Sequence, residues 1–248
     1  MNGKVPKNYR YPIVVNTFDA DQDRRLRLSA ILKYQQEVGE RHLKEGNVGY
    51  AVMYEDGMAF VLSKASSIIH RYPLLGEELT VFTQSYGARG VRFFRCYTFF
   101  DNSGAPVIES VSAFVLVDVE NHKILRPDRV DSYQLPIENG ELWGCPLPGK
   151  LHPPAEMRPC GHREIRYSDI DYNGHLNNTV YADFIGDYMP GGMEGKTINR
   201  FQIGFLGEAR LGETLEITGG VSGPGQMFLA GRHGRWACFE AFCEYSQR

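Results

Sequence analysis

The chain has 248 residues, a formal net charge of −3 and 42% hydrophobic residues. That length fits one large domain or two domains of about 100–150 residues each. The small net charge gives no reason to expect nucleic acid or a membrane surface as a partner. No apolar run reaches the roughly 18 residues of a membrane span, and the N-terminal segment has no signal-peptide core. Five cysteines without a C-x-x-C pair indicate reduced thiols, so we expect a cytoplasmic globular protein.

The first half of the sequence predicts a strand, a helix and four further strands. A short β-rich segment at 9–15 is followed by a charged loop at 19–27 and by a helix at 28–43 with apolar residues along one face. Strand-like runs then occupy 58–69, 78–86, 91–100 and 107–119. Glycine and asparagine between these runs indicate turns, so we expect an antiparallel sheet with one buried face.

A proline-rich stretch separates the two halves. Seven of the thirteen prolines lie between 126 and 160, where they disfavour helix and strand because proline lacks an N–H and fixes φ. We therefore predict an N-terminal domain at 1–126, a linker at 127–160 and a C-terminal domain at 161–248. In the C-terminal domain we expect a strand at 161–167, a helix at 177–189 and strands at 197–205, 213–219, 226–232 and 236–245.

The second half repeats the first. Residues 19–26 align with 169–176 at an offset of 150 (169 − 19), and residues 75–81 align with 211–217 at an offset of 136 (211 − 75). The difference of 14 residues indicates an insertion in the first half, near 45–57. Two matches in the same order within the same element pattern indicate an internal repeat. A helix wrapped by a long sheet buries both elements, and two such units can join their sheets edge to edge.

A carboxylate, an amide and an imidazole alternate at Asp171, Asn173 and His175, just before the second helix. Backbone N–H groups at the start of a helix stabilise developing negative charge. These residues could instead be turn formers and helix caps, which is the usual role of such side chains before a helix. The repeat favours a working site, because the first half has Asp23 in place of the amide and Arg25 in place of the imidazole. The first half would then be a degenerate copy.

With this motif and the segment 204–214 in view, the sequence resembles the acyl-ACP thioesterases of the plant and bacterial type. The resemblance extends over nearly the whole chain, from about Tyr9 to Tyr245. It implies an α+β fold of two tandem hotdog folds, each a long helix wrapped by an antiparallel β-sheet. It also places four residues at catalytic positions of the family: Asp171, Asn173, His175 and Glu208.

This chain departs from the family at one position, and the difference limits which side chain can be the nucleophile. Plant members have a cysteine directly after the catalytic glutamate, whereas this chain has Ala209. A thiol nucleophile at that place is therefore excluded, and the carboxylates and the imidazole must carry the reaction. No part of the sequence has the ligand spacing of a metal site, and we expect no cofactor.

Thioester hydrolysis needs an oxygen nucleophile, a site that stabilises the charged carbonyl oxygen and a proton for the leaving thiolate. Asn173 can donate an N–H to the carbonyl. Our working hypothesis is that His175 and Glu208 activate water while Asp171 holds Asn173 and His175 in place. The alternative is direct attack by Asp171, which forms a mixed anhydride. Glu208 could also do no more than pair with Arg210 at the surface.

The resemblance implies hydrolysis of fatty acyl-ACP, which releases free fatty acid and ends chain elongation. The partner would be an acyl carrier protein with the acyl chain on its 4′-phosphopantetheine, and a homodimer is compatible with the sequence. Because such a carrier protein is acidic, we expect a basic patch near the acyl tunnel, with Arg89, Arg92 and Arg95 as candidates. Rival functions are an acyl-CoA thioesterase, a hydroxyacyl dehydratase and a non-catalytic acyl-binding module. Candidates for an acyl pocket in the first half, each equally plausible as core, are Ile31, Tyr34, Val38, Phe60 and Leu62.

Overall fold

The computed structural model describes residues 4–138 and 144–247. The chain divides into two compact units, Met1–Pro148 and Gly149–Arg248. Within the described residues, no helix is both long enough and apolar enough to cross a membrane.

In its described residues, the first unit contains two α-helices and a five-stranded antiparallel sheet. The helices are α1 (Leu28–Lys44) and α2 (Tyr50–Glu55). The strands are β1 (Asn8–Val14), β2 (Met58–Ile69), β3 (Glu78–Arg89), β4 (Arg92–Phe100) and β5 (Pro106–Asp118). Their order in the sheet is β1-β3-β4-β5-β2, and every neighbouring pair is antiparallel. The elements predicted for the first half are therefore confirmed to within a few residues at each end.

The buried face of α1 combines apolar and polar side chains. Ile31 is fully buried, as the helical spacing of apolar residues predicts. The same face also carries Gln35, Gly39 and His42. Glycine allows a close approach at this point, because a Cβ on Gly39 would lie 2.8 Å from the hydroxyl oxygen of Tyr97. Helix α1 therefore packs closely against a sheet surface that is partly polar.

Arg95 on β4 corrects one prediction from the sequence. We expected it in a surface basic patch, but its side chain is only 7% exposed. Its Nη1 donates a hydrogen bond to His42 Nδ1 at 2.8 Å and to Thr83 Oγ1 at 3.3 Å. Side chains alternate between the two faces of a strand, and this alternation turns Arg95 towards α1. The other two arginines of the expected patch, Arg89 and Arg92, are exposed and pair with each other in register.

Helix α2 lies within the segment 45–57 that the repeat comparison marks as an insertion. It covers part of the sheet, because Met53 packs with Phe93 and Leu116 in a buried cluster. Phe60 joins this cluster with its ring centroid 5.0 Å from that of Phe93. The sequence did not predict α2, since six residues are too few to show a helical period.

The proline-rich stretch forms a 3₁₀ helix at Pro127–Tyr133 and then mostly extended chain. Its central residues 139–143 lie outside the described part of the chain. Cys145 packs on the outer face of the first unit's sheet. In the second unit, Gly149 exchanges two hydrogen bonds with the side chain of Gln202, at 3.2 and 2.9 Å. These contacts hold the part of the stretch that follows residue 143 against folded structure.

Over residues 149–247, which the structure describes, the second unit contains one α-helix and a second five-stranded antiparallel sheet. The helix is α3 (Val180–Asp187). The strands are β6 (Arg158–Glu164), β7 (Lys196–Phe205), β8 (Thr214–Gly223), β9 (Gln226–His233) and β10 (Trp236–Gln247). Their order is β7-β10-β9-β8-β6, again antiparallel throughout. Tyr181 and Phe184 of α3 pack on Phe239 of β10, with ring centroids 5.0 and 5.6 Å away.

Helix α3 is shorter than the predicted helix at 177–189. Residues 177–179 form a turn in which Asn177 Oδ1 accepts hydrogen bonds from the backbone N–H and the hydroxyl of Thr179, at 2.9 and 2.8 Å. The helix ends at Asp187, before the predicted stop at the glycines, and Gly191 and Gly192 follow it with positive φ values of 69° and 75°. Each unit therefore combines an antiparallel sheet with a helix, in agreement with the predicted α+β class.

Candidate active site

The predicted polar motif lies on a closed loop between β6 and α3. The loop starts in a 3₁₀ turn at Tyr167–Asp169 and closes through a β-bridge between Ile170 and Leu176. Inside it, the Asp171 N–H donates to the His175 carbonyl at 2.9 Å. Gly174 has a φ of +81°, a conformation that favours glycine and lets the chain reverse.

The first unit contains a loop with equivalent backbone hydrogen bonds. The N–H of Asp21 donates to the Arg25 carbonyl at 2.8 Å, and Ala20 forms the matching bridge to Leu26. The residue in the left-handed conformation is Arg24, with a φ of +61°. The repeat inferred from the sequence at an offset of 150 is therefore present in the backbone hydrogen bonds.

Asp171 has a structural role that both loops share. Its Oδ1 accepts the N–H of Asn173 at 2.9 Å, and in the first unit Asp21 Oδ1 accepts the N–H of Asp23 at the same distance. Asp171 therefore bonds to Asn173 through its carboxylate and to the His175 carbonyl through its backbone N–H. Because the first unit has equivalent bonds, this turn does not by itself identify a reacting carboxylate. Asp171 is half-buried and Asn173 is exposed.

His175 and Glu208 meet although 33 residues separate them in the sequence (208 − 175 = 33). His175 Nε2 lies 3.0 Å from Glu208 Oε2, and their side chains are 29% and 40% exposed. An imidazole beside a carboxylate, partly open to solvent, can accept, hold and return a proton near neutral pH. Arg210 Nη2 lies 3.3 Å from the same Glu208 oxygen. The surface pairing considered for Glu208 and Arg210 therefore coexists with the contact to His175.

The segment that carries Glu208 is fixed on both sides. The N–H groups of Leu206 and Gly207 donate to the Cys238 carbonyl at 2.9 and 3.1 Å. On the other side, the carbonyl of buried Ala209 accepts the N–H of Leu176 at 2.8 Å. This last bond joins the Glu208 segment directly to the loop that carries His175.

Cys238 is a thiol close to this segment, with its Sγ 3.7 Å from the Glu208 carbonyl oxygen. Burial raises the pKa of the Cys238 thiol, so it stays protonated at neutral pH and is a poor nucleophile. The place next to Glu208 is occupied by Ala209, as the sequence shows. The geometry therefore favours oxygen and imidazole chemistry over a thiol.

The first unit has a different pair at the place of His175 and Glu208. The offsets of 150 and 136 map these two residues onto Arg25 and Tyr72. Arg25 Cζ lies over the Tyr72 ring, 5.4 Å from its centroid. A guanidinium on an aromatic ring is a stabilising contact with no group suited to take a proton from water. The two loops thus share a backbone and differ in the side chains that could react.

Within the described residues, no group of three or more histidine, cysteine, aspartate or glutamate side chains is arranged to hold a metal ion. The site therefore consists of a histidine–carboxylate pair, a loop carboxylate and an exposed amide.

Sequence reasoning missed an ion pair at the entrance of the loop. Arg163 Nη2 lies 2.8 Å from Asp169 Oδ1. Asp169 belongs to the repeated aspartates, and its alignment with Asp19 was the available signal. Nothing in the sequence pattern indicated Arg163, which reaches the loop from β6.

Comparison with known proteins places these features in a family. The model of the acyl-ACP thioesterase N-terminal domain matches residues 6–131, and that of the C-terminal domain matches residues 159–230. A chloroplastic acyl-[acyl-carrier-protein] hydrolase from Cuphea viscosissima is 24% identical over 201 residues, which cover 73% of this chain and 47% of the relative. The chain thus spans about half the length of this curated relative.

Solved structures with the same fold cover the whole chain. An acyl-ACP thioesterase from Bacteroides thetaiotaomicron matches with a TM-score of 0.85 and 21% identity, over 97% of this chain and 98% of that one. A 12:0-ACP thioesterase from Umbellularia californica matches with a TM-score of 0.79 and 19% identity, over 99% and 100%. These matches confirm the predicted tandem hotdog fold. Since its two domain models together match most of the sequence, the chain belongs to the acyl-ACP thioesterase family.

Proposed function

We propose that the protein hydrolyses the thioester of fatty acyl-ACP and releases free fatty acid, which ends chain elongation. The observation that carries the proposal is the 3.0 Å contact between His175 and Glu208, in a chain that belongs to this family. The contact unites two residues that the sequence resemblance placed at catalytic positions. The first unit, with Arg25 and Tyr72 at the equivalent places, would be the inactive copy.

In the proposed reaction, His175 and Glu208 take a proton from a water molecule whose oxygen bonds to the thioester carbonyl carbon. Asn173 is exposed at the loop and would donate an N–H to the carbonyl oxygen as charge develops there. The intermediate collapses, the carbon–sulfur bond breaks, and the 4′-phosphopantetheine sulfur leaves as a thiolate. The proton held by the pair then returns to that sulfur. Asp171 holds the loop in shape through its bond to Asn173.

The test is thiol release from a panel of acyl-ACP and acyl-CoA substrates by the native chain, His175→Ala and Glu208→Gln. Losses of about 100-fold or more in both variants would support the site, since a positioned acid–base group contributes at least about that factor. Turnover on acyl-CoA alone would replace the carrier-protein substrate by a coenzyme A thioester. An enoyl product without thiol would identify a dehydratase, and binding without turnover would identify an acyl-binding module.

Asp171 needs a separate test because its carboxylate also shapes the turn. Asp171→Asn keeps an acceptor for the Asn173 N–H and removes the negative charge, whereas Asp171→Ala removes both. Water attack predicts that Asp171→Asn is the milder variant. Label in the Asp171 carboxylate after a single turnover in heavy-oxygen water would refute water attack on the thioester, because it requires a mixed anhydride that water opens at the Asp171 carbonyl.

We further propose an acyl carrier protein as the partner and the cytoplasm as the location, which the five free cysteines support. Exposed Arg89 and Arg92 remain candidates for contacts with an acidic carrier protein. Charge reversal at both positions should then raise KM for acyl-ACP and leave KM for acyl-CoA unchanged. The homodimer stays a prediction, which analytical ultracentrifugation tests.

A further inference from the structure

Asp169 stands at the entrance of the loop that carries the proposed catalytic residues, and it is only 8% exposed. We propose that Asp169 is a positioning residue for the His175–Glu208 pair, which it acts on by fixing both ends of this loop. The kinetic consequence rests on the function proposed above. The geometric consequence does not, because it concerns only where the His175 ring lies.

The Asp169 side chain fixes the start of the loop. Its Oδ2 accepts the backbone N–H of Arg166 at 3.0 Å, and its Oδ1 accepts a hydrogen bond from Arg163 Nη2 at 2.8 Å. The Asp169 N–H also donates to the Arg166 carbonyl at 2.9 Å. Both carboxylate oxygens are therefore engaged, and the 3₁₀ turn before the loop closes on this one residue.

The Asp169 backbone fixes the end of the loop. Its carbonyl accepts the N–H of Asn177 at 2.9 Å, two residues after His175. Between them, Leu176 donates its N–H to the Ala209 carbonyl at 2.8 Å, next to Glu208. A shift of Asp169 would therefore move His175 relative to the segment that carries Glu208.

Arg163 connects Asp169 to helix α3. Its guanidinium lies over the ring of fully buried Phe184, 5.7 Å from the centroid. The side chains of Arg163 and Asp169 are 34% and 10% exposed. Removal of one partner from a pair so protected from water leaves the other charge without compensation, which is more disruptive than loss of a surface pair. The Asp169 carboxylate is thus linked, through Arg163 of β6, to the aromatic ring of Phe184 on α3.

The first unit supplies a matched control. Asp19 has the same place in the repeat, and its Oδ2 accepts the N–H of Asn16 at 3.3 Å. Its carbonyl accepts the N–H of Arg27 at 2.9 Å, as that of Asp169 accepts Asn177. Its charged partner is replaced by a hydroxyl, since Tyr34 donates to Asp19 Oδ2 at 2.6 Å. The equivalent substitution in this unit disturbs a similar loop that carries no histidine–glutamate pair.

The experiment compares Asp169→Asn with Asp19→Asn. An amide keeps the shape of the side chain but offers only one acceptor oxygen. Asp169→Asn therefore loses one of two contacts that use separate oxygens, whereas Asp19→Asn can keep both contacts on Oδ2 and loses the charge. We expect Asp169→Asn to lower kcat by about 10-fold or more with KM within about twofold, because small displacements of catalytic groups have large effects on rate. Asp19→Asn should leave kcat within about twofold of the native value, even if it lowers Tm by a similar amount.

A readout without catalysis separates this inference from the proposed function. At fixed pH, the ¹⁵N chemical shift of the His175 ring should change in Asp169→Asn and stay unchanged in Asp19→Asn. If the native chain releases no thiol, the proposed function fails, and the chemical shift of the His175 ring alone then tests the positioning role of Asp169. The positioning role is overturned if Asp169→Asn leaves the His175 signal and kcat as they are, or if both variants lower kcat equally. Arg163→Met, which leaves every backbone contact of Asp169 in place, replaces Asp169→Asn if that variant does not fold, and the same outcomes apply.

Discussion

The buried contact between His42 and Arg95 predicts that acid destabilises the first unit. His42 is fully buried. Its Nε2 lies 2.7 Å from the Pro6 carbonyl and its Nδ1 lies 2.8 Å from Arg95 Nη1. Since the guanidinium can only donate, Nδ1 must accept and Nε2 must carry the proton, so the ring is neutral. Burial, and secondarily the charge of Arg95, lower the pKa of His42 from 6.5 to about 4.

The sign and the size of the stability loss follow from the difference between the pKa of His42 in the unfolded chain and in the folded chain. Below pH 6.5 the unfolded chain binds a proton at His42 that the folded chain does not bind until about pH 4. The stability contributed by the neutral ring is therefore complete above pH 6.5 and is lost as the pH falls through the window from 6.5 to about 4. The full loss is about 3 kcal/mol, of which about 2 kcal/mol is lost by about pH 5.

Urea unfolding between about pH 7.5 and about pH 5 measures this loss, with His42→Gln as the control. Glutamine offers one donor for the Pro6 carbonyl and one acceptor for Arg95, and it does not titrate. The native chain should lose about 2 kcal/mol more than His42→Gln over this range. Equal losses in the two proteins would refute the assignment of a neutral, buried His42.

Three further predictions concern the His175–Glu208 pair, the close approach at Gly46 and the loop of the first unit. His175→Ala and Glu208→Gln should be strongly non-additive, so that the double variant releases thiol about as slowly as the worse single variant; independent losses that multiply would contradict a joint role. Gly46→Ala should destabilise the first unit by about 1–3 kcal/mol in urea unfolding, because the new Cβ would lie 2.7 Å from the backbone nitrogen of buried Val5. Tyr34→Phe removes its 2.6 Å bond to the loop carboxylate and should lower stability by about 1–2 kcal/mol with kcat unchanged.

The strands and α1 could be predicted because their apolar periods are long and their turns are marked by glycine. The predicted second helix was too long for a specific reason. Leu176, directly before the predicted start at 177, is buried and falls in phase with the apolar face of α3, but it belongs to the loop, where it forms the β-bridge to Ile170. A period of buried residues cannot distinguish a helix from a loop that packs at the same spacing.

The charge of Arg95 led to the wrong prediction that its side chain is exposed. An arginine in a strand indicates an exposed face, and only the partners that it meets in the folded chain reverse that expectation. His42 accepts its hydrogen bond and Gly39 leaves space beside it. Neither partner is near Arg95 in the sequence.

The candidate site was predictable in part. The alternating side chains identified the loop, because a carboxylate, an amide and an imidazole in a row are more than a turn requires. The contact between His175 and Glu208 could not follow from spacing, and their shared role came from the family resemblance. The Arg163–Asp169 pair connects a strand to the loop after it, and this contact depends on a bend that the sequence does not specify.

The duplicated loop has a consequence for redesign. Since the first unit already has the backbone bonds of the site, its loop is a template that lacks only the reacting side chains. Three substitutions, Asp23→Asn, Arg25→His and Tyr72→Glu, would give it the candidate site side chains that the other unit has at these places. The loop of the first unit is therefore an internal scaffold on which the side chains of the site can be introduced one at a time, to find the smallest set that has activity.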